Sequence, residues 1–165
     1  MKRPKTPRGY TITELMIVVA ILGIVSSVGP MLLINLQNFY LMTTARSEIE
    51  RDARQSLDTM NRFIRQAIAG TVVIDTPSGQ GPYSRIRFNL VDGRSVDFHQ
   101  SGASLVQLMG NNTNTLTKNL VYIAFTFPRT DDPTIVSVSL TMGKSIQLGR
   151  RKVLELTIQD VRIMN

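Results

Sequence analysis

The chain has 165 residues, with 19 Lys+Arg against 12 Asp+Glu, for a formal charge of +7. No cysteine is present and His99 is the one histidine, which excludes a disulfide scaffold, a cysteine nucleophile, a thiolate zinc centre and a multi-histidine metal centre. The length supports one core of modest size, and 42% hydrophobic residues argue against global disorder. Much of the charge is local. Lys2, Arg3, Lys5 and Arg8 lie in an opening segment without acids, so the basic balance does not by itself indicate a nucleic-acid surface.

Residues 15–34, LMIVVAILGIVSSVGPMLLI, carry no charge, and Ser26 and Ser27 are the only polar side chains. A helix of about 20 residues at 1.5 Å per residue spans about 30 Å, the thickness of a bilayer core. Soluble helices of this length usually carry a polar face, so the expectation is a membrane span. The preceding basic residues place the N-terminus in the cytoplasm and the remainder of the chain outside it. A secretory signal would be shorter and would end in an Ala-x-Ala-like site; none follows here. A plain signal anchor is the alternative.

Glu14 stands at the edge of this apolar run. A carboxylate there is costly unless it is paired, which points to function. Thr11-x-x-Glu14 also reads as a capping box that satisfies the free N–H groups of a helix start. Both roles stay open. The string Arg8-Gly9-Tyr10-Thr11-Ile12-Thr13-Glu14-Leu15 with its apolar continuation resembles the class III signal of type IV prepilins and pseudopilins. The resemblance implies a leader of residues 1–9 cut by a prepilin peptidase between Gly9 and Tyr10. It implies N-methylation of Tyr10, which stands where Phe or Met is usual, and an assembly role for Glu14 as partner of a neighbouring subunit's free α-amino group.

Gly29-Pro30 interrupts the run. Pro30 has no N–H and crowds the carbonyl of Ser26, so a kink or loosened turn is expected, with Ser26 and Ser27 able to satisfy freed groups. In the pilin family a proline near this depth marks a stretch that unwinds in the filament; a passive kink is the other reading.

From Asn35 to about Ala69 there is neither Pro nor Gly. Ile49, Ala53, Leu57, Met60, Ile64 and Ala67 recur at steps of four and three and form one helical stripe, with mixed charges on the opposite face and Gly70 ending the pattern. One helix from about Ile12 to Ala69 is therefore expected. Residues 54–67 loosely resemble the helix end of minor pilins and of the J-type minor pseudopilin. The expected organisation is a leader at 1–9, a transmembrane and assembly helix at 10–34, an amphipathic continuation at 35–69 and a β domain at 70–165.

The remainder alternates as strands do. Ile86, Phe88 and Leu90 face one way from 85–90, and Val96 and Phe98 from 94–99. A three-residue loop, Val91-Asp92-Gly93 with Gly93 at positive φ, aligns the two faces; a two-residue Asp-Gly turn would set Phe88 opposite Asp97. The preferred register pairs Phe88 with Val96, Arg87 with Asp97 and His99 with Arg85, leaving His99 on the outer face. Further strands are expected at 104–109, 121–127, 135–141 and 152–163, with turns at 110–114, 128–133 and 143–149. A helix followed by consecutive strands implies an α+β fold, an antiparallel sheet packed on the C-terminal half of the helix. That layout is also pilin-like.

No nucleophile elbow, P-loop, dinucleotide fingerprint or zinc motif is present in the sequence. Asp131-Asp132 between prolines reads as a turn before it reads as a calcium site, which needs six or more oxygens. Asn111 to Thr115 reads as a polar loop tip. Arg150-Arg151-Lys152 reads as solvated surface, with no aromatic interleaved to stack on bases, so nucleic acid is not an expected partner. The resulting expectation is a structural subunit rather than an enzyme, with no cofactor and no metal: a minor pilin-like protein that is assembled into a type IV pilus or primes it. A minor pseudopilin of a type II secretion system is the alternative. A signal-anchored periplasmic enzyme and a DNA-uptake receptor pilin using Arg150–Lys152 rank behind these. Implied partners are the prepilin peptidase, other pilin or pseudopilin subunits, an inner-membrane assembly platform protein and membrane lipid. The implied location is the bacterial inner membrane, single-pass, and then the pilus or pseudopilus.

Overall fold

A computed structural model describes residues 9–146 and 150–164, with the backbone alone described for 150–159. The leader residues before Gly9, the tip of the turn expected at 143–149, and the side chains of Arg150–Lys152 lie outside this description. The chain divides into two compact units after Leu41. The helix α1, Ile12–Arg65, supplies the described secondary structure of the first unit and opens the second.

In the first unit α1 is apolar all round. Leu15, Met16, Ile17, Leu22, Leu32 and Leu33 are more than half exposed, and this is the one helix among the described residues long and apolar enough to cross a membrane. Among the described residues of the unit none covers these side chains, which suits a segment that meets lipid or neighbouring chains. The helical assignment runs without a break through Gly29 and Pro30. Nearby, the Ser27 hydroxyl donates to the Ile24 carbonyl at 2.8 Å, so its polar atom is satisfied inside the helix.

In the second unit the rest of α1 packs on antiparallel β-structure, an α+β, pilin-like architecture. Ile49, Ala53, Leu57, Met60, Ile64 and Ala67, the stripe read from the sequence, are all buried. They meet Ile86, Phe88, Val96 and Phe98 of the first sheet and Leu120, Ile123, Phe125, Val138 and Leu140 of the second in a single core. Phe98 is the hub of its aromatic part, with ring centroids 6.1 Å from Phe63 and 6.2 Å from Phe88.

The strands are β1 (Val73–Asp75), β2 (Arg85–Asn89), β3 (Ser95–Ser101), β4 (Ser104–Met109), β5 (Asn112–Thr117), β6 (Leu120–Thr126), β7 (Ile135–Ile146) and β8 (Arg150–Arg162). They form two sheets rather than one: a meander in the order β1-β2-β3-β4-β5 and a three-stranded sheet β6-β7-β8. The chain passes from one to the other where Leu120 N–H donates to the Ala103 carbonyl at 2.8 Å and Phe125 N–H to that of Tyr83 at 2.9 Å.

The β2–β3 hairpin has the expected register, with Arg85 opposite His99, Arg87 opposite Asp97 and Phe88 opposite Val96. Its loop closes through Leu90 N–H to Arg94 O at 2.8 Å, and Gly93 takes φ 84°, the left-handed value that favours glycine at this position. Asp75 on β1 binds Arg85 through both carboxylate oxygens at 2.6 Å and Arg87 through Oδ2 at 2.8 Å. Hydrogen bonding from Arg85, reinforced by the nearby charges, holds the Asp75 carboxyl below the usual carboxylate range.

Three boundaries depart from expectation. The helix stops at Arg65, not near Ala69, and Ala69–Thr71 forms a single 3-10 turn. Tertiary pairing wins over local propensity there: Ala67 bridges Leu90, Ile68 N–H donates to Asn89 O at 2.9 Å, and Met164 N–H caps the Arg65 carbonyl at 3.0 Å. The turn expected at 110–114 is only a tight reversal at Gly110, φ 59°, and the polar tip at Asn111–Thr115 belongs largely to β5, paired with β4. Strand β7 runs on to Ile146, so the described part of the turn expected from Gly143 is strand, paired with β8.

Candidate processing and assembly site

Gly9 and Tyr10 precede α1 and are exposed. A Cβ placed on Gly9 would meet no atom within 4 Å, and its backbone is not in the left-handed region, so the fold does not require glycine here. Tyr10 is 91% exposed, so the peptide bond that joins the two residues stands clear of the chain's own packing.

Two residues on, the capping box is fully formed. Thr11 N–H donates to Glu14 Oε2 at 2.9 Å, the Thr11 hydroxyl donates to the same oxygen at 3.0 Å, and Glu14 N–H returns a bond to Thr11 Oγ1 at 3.3 Å. Leu15 N–H closes the first helical turn on the Thr11 carbonyl at 3.2 Å. Reciprocal capping of this kind stabilises a helix start, and an acid in the first turn also suits the helix dipole. The local reading of Glu14 is therefore realised in the chain. It leaves the carboxylate exposed at the N-terminal end of the apolar segment, four residues after Tyr10. Gly29 and Pro30 lie well along the same helix, within its exposed apolar stretch.

His99 and Asp132, also singled out in the sequence, are held in local polar contacts. His99 Nδ1 lies 2.8 Å from Asp97 Oδ1 on the outer face of β3. Asp132 Oδ1 accepts the Thr134 N–H at 3.0 Å and its hydroxyl at 2.5 Å, an Asx turn in which hydrogen bonding by Thr134 keeps the Asp132 carboxyl below its ordinary range. Sequence reading missed one feature of the second unit. Ser56 on α1 and Gln107 on β4 are buried polar side chains that line a cleft between helix and sheet. The available signals were Ser56 beside the apolar stripe and Gln107 inside the apolar strand Ser104–Met109, and neither stands out without the fold.

No curated protein and no solved structure matches the chain. Residues 5–29 match the family model described as the prokaryotic N-terminal methylation motif. The matched span contains Gly9, Tyr10, Glu14 and three quarters of the apolar run 15–34. The chain thus carries the type IV pilin-like prepilin signal on a long apolar helix, and it is pilin- or pseudopilin-like.

Proposed function

We propose that the chain is a minor pilin-like structural subunit that is assembled into a type IV pilus or primes it. A prepilin peptidase cuts between Gly9 and Tyr10, Tyr10 is N-methylated, and the segment 10–34 holds the processed subunit in the inner membrane until assembly. The observation that carries this reading is the match to the methylation motif at residues 5–29, which includes the cleavage pair and Glu14. It is supported by a Gly9 that no contact in the chain demands and by apolar helix residues that nothing in their own unit covers.

Assembly then uses helix packing. The apolar residues of 15–34 exchange lipid for the same segment of neighbouring subunits, and the Glu14 carboxylate exchanges its bond to Thr11 for the charged α-amino group of an adjacent Tyr10. The α-amino group brings a full opposite charge that the Thr11 donors lack, and such a pair at an apolar boundary gives the stack an axial register. Gly29-Pro30 is the weak point of the helix, since Pro30 leaves the Ser26 carbonyl without its usual helical donor, and it is where the segment can extend in the filament. The second unit, with α1 from Met42 and both sheets, is the head carried outside the membrane, and it meets the assembly platform protein and sister subunits.

The test is Gly9→Leu in the native host. The full-length mass is expected to persist in the membrane fraction, with loss of the subunit from sheared filaments. Normal cleavage of Gly9→Leu, or recovery of uncleaved protein in filaments, overturns the reading.

A further inference from the structure

The second unit holds a polar cleft that packing does not account for. Between α1 and the β4–β5 end of the first sheet lies a cavity of about 330 Å³. On the sheet side it is lined by the cross-strand pair Gln107↔Asn114 together with Met109, Asn112 and Leu116. On the helix side it is lined by Ser56, Thr59 and Arg62. Ser56 is 1% exposed and Gln107 5% exposed, yet Ser56 Oγ and Gln107 Nε2 have no hydrogen-bond partner among the described residues. Buried polar atoms are ordinarily hydrogen-bonded, so two such groups facing one cleft mark a place that can receive the polar atoms of a ligand.

The cleft has a sign. Arg62 is its one charged lining residue, with the guanidinium carbon held 5.4 Å from the Phe63 ring centroid, and no acid lines the cavity. Along the neighbouring exposed helix face run Arg51, Arg54, Arg62 and Arg65, with Asp58 the acid among them. Donors in the cleft and cations beside it select an acceptor with negative charge.

The cleft also has a direction. Strand β5 is the outer strand of its sheet, pairing with β4 alone. Asn112 to Thr115 are exposed and contain neither the charge nor the proline that usually blunts a free edge. An unpaired row of backbone donors and acceptors therefore runs beside the buried donors.

We propose that this cleft and the β5 edge together form a docking site for an extended acidic peptide segment of a partner protein. The segment adds as a strand to β5 and places a Glu or Asp carboxylate on Gln107 Nε2, Ser56 Oγ and Arg62. Main-chain pairing supplies affinity, and the carboxylate supplies selectivity. The proposal rests on the head's own geometry and holds whether or not residues 1–9 are removed.

The probe is a blocked pentapeptide, Thr-Glu-Thr-Glu-Thr, titrated into the full chain in detergent micelles with ¹⁵N-labelled glutamine and asparagine. Saturable shifts are expected in the Gln107 side-chain amide and in the Asn112 and Asn114 backbone amides. The Thr-Gln-Thr-Gln-Thr counterpart is expected to bind about tenfold more weakly or worse, as a lost charge-assisted bond requires. Arg62→Gln, on the exposed helix face, and Gln107→Leu, which removes the orphan amide, are each expected to weaken the acidic peptide by a similar factor. The unchanged spectrum of the remaining amides reports that the variants are folded. Equal binding of the glutamine peptide overturns the carboxylate assignment. Equal binding of N-acetylglutamate amide, which cannot add as a strand, makes the cleft a small-carboxylate site and overturns the β5 role. No saturable shift with any of the three overturns the proposal.

Discussion

The substitution Ile64→Ala tests whether the second half of α1 is an integral wall of the head. Ile64 is fully buried on the last turn of the helix and belongs to the core shared with both sheets. Truncation removes three carbons. At about 0.8 kcal/mol each, the transfer cost is about 2.4 kcal/mol. A cavity term adds to this, because the surrounding core residues are fixed by the helix and the two sheets and collapse only partly. The expected loss is about 3–4 kcal/mol, a large part of the 5–15 kcal/mol typical of a domain. With a urea m-value of about 2 kcal/mol/M, the midpoint falls by close to 2 M. The assay is urea unfolding of the full chain in detergent, followed by circular dichroism in the strand region, with Ile21→Ala as the control. Ile21 is 55% exposed in the first unit, so its truncation is expected to move the head's transition by less than about 0.5 kcal/mol. A loss below about 1 kcal/mol for Ile64→Ala, or equal losses for the two variants, would refute the placement of the helix in the head core.

Other predictions follow from the cap and the ion pairs. Glu14→Gln keeps an oxygen for the Thr11 N–H but no charge, so it is expected to preserve membrane insertion and cleavage while lowering the assembled fraction in sheared filaments. Normal assembly of the Gln variant beside failure of Glu14→Ala would leave Glu14 as a helix cap alone. Asp75, with its carboxyl held below the ordinary range by Arg85, binds protons less readily folded than unfolded. Its contribution is therefore present above the unfolded value of about 3.9 and is lost as pH falls through the lower folded value. Asp75→Asn is expected to flatten the decline in head stability below about pH 4, read from thermal melts across pH 2 to 6; an unchanged acid limb would count against the Arg85 pairing. Lys144 on β7 bonds Glu48 on α1, and that bond holds the Glu48 carboxyl low. Lys144→Met is expected to leave the urea midpoint of the head nearly unchanged, since a partly exposed pair contributes little, and a clear fall in the midpoint would assign the pair a structural role.

Much of the head was legible because its signals are local. The helical stripe from Ile49 to Ala67 needed only a period, and the β2–β3 register needed only the constraint that Phe88 and Val96 share a face while Gly93 absorbs a positive φ. The segment Asn112–Thr117 was illegible for the opposite reason. Its composition is that of a loop, and it becomes a strand by pairing with β4, whose register brings Asn114 to Gln107. The helix end was misplaced because Ala67 and Ile68 leave the helix for partners on β2, contacts that no local pattern encodes. The division into two sheets likewise depends on how Leu120 and Phe125 join Ala103 and Tyr83. At the N-terminus the cap at Thr11 and Glu14 was readable in full from four residues. The cleft was not, since Ser56 and Gln107 come together only through the fold.

The central claim is prepilin processing, and the most direct measurement is the N-terminal residue and intact mass of the protein purified from its native membrane. The account predicts a chain that begins at Tyr10 and carries one added methyl group. A chain that still carries residues 1–9 in assembled material would contradict it and would make Glu14 the cap of a permanent membrane anchor.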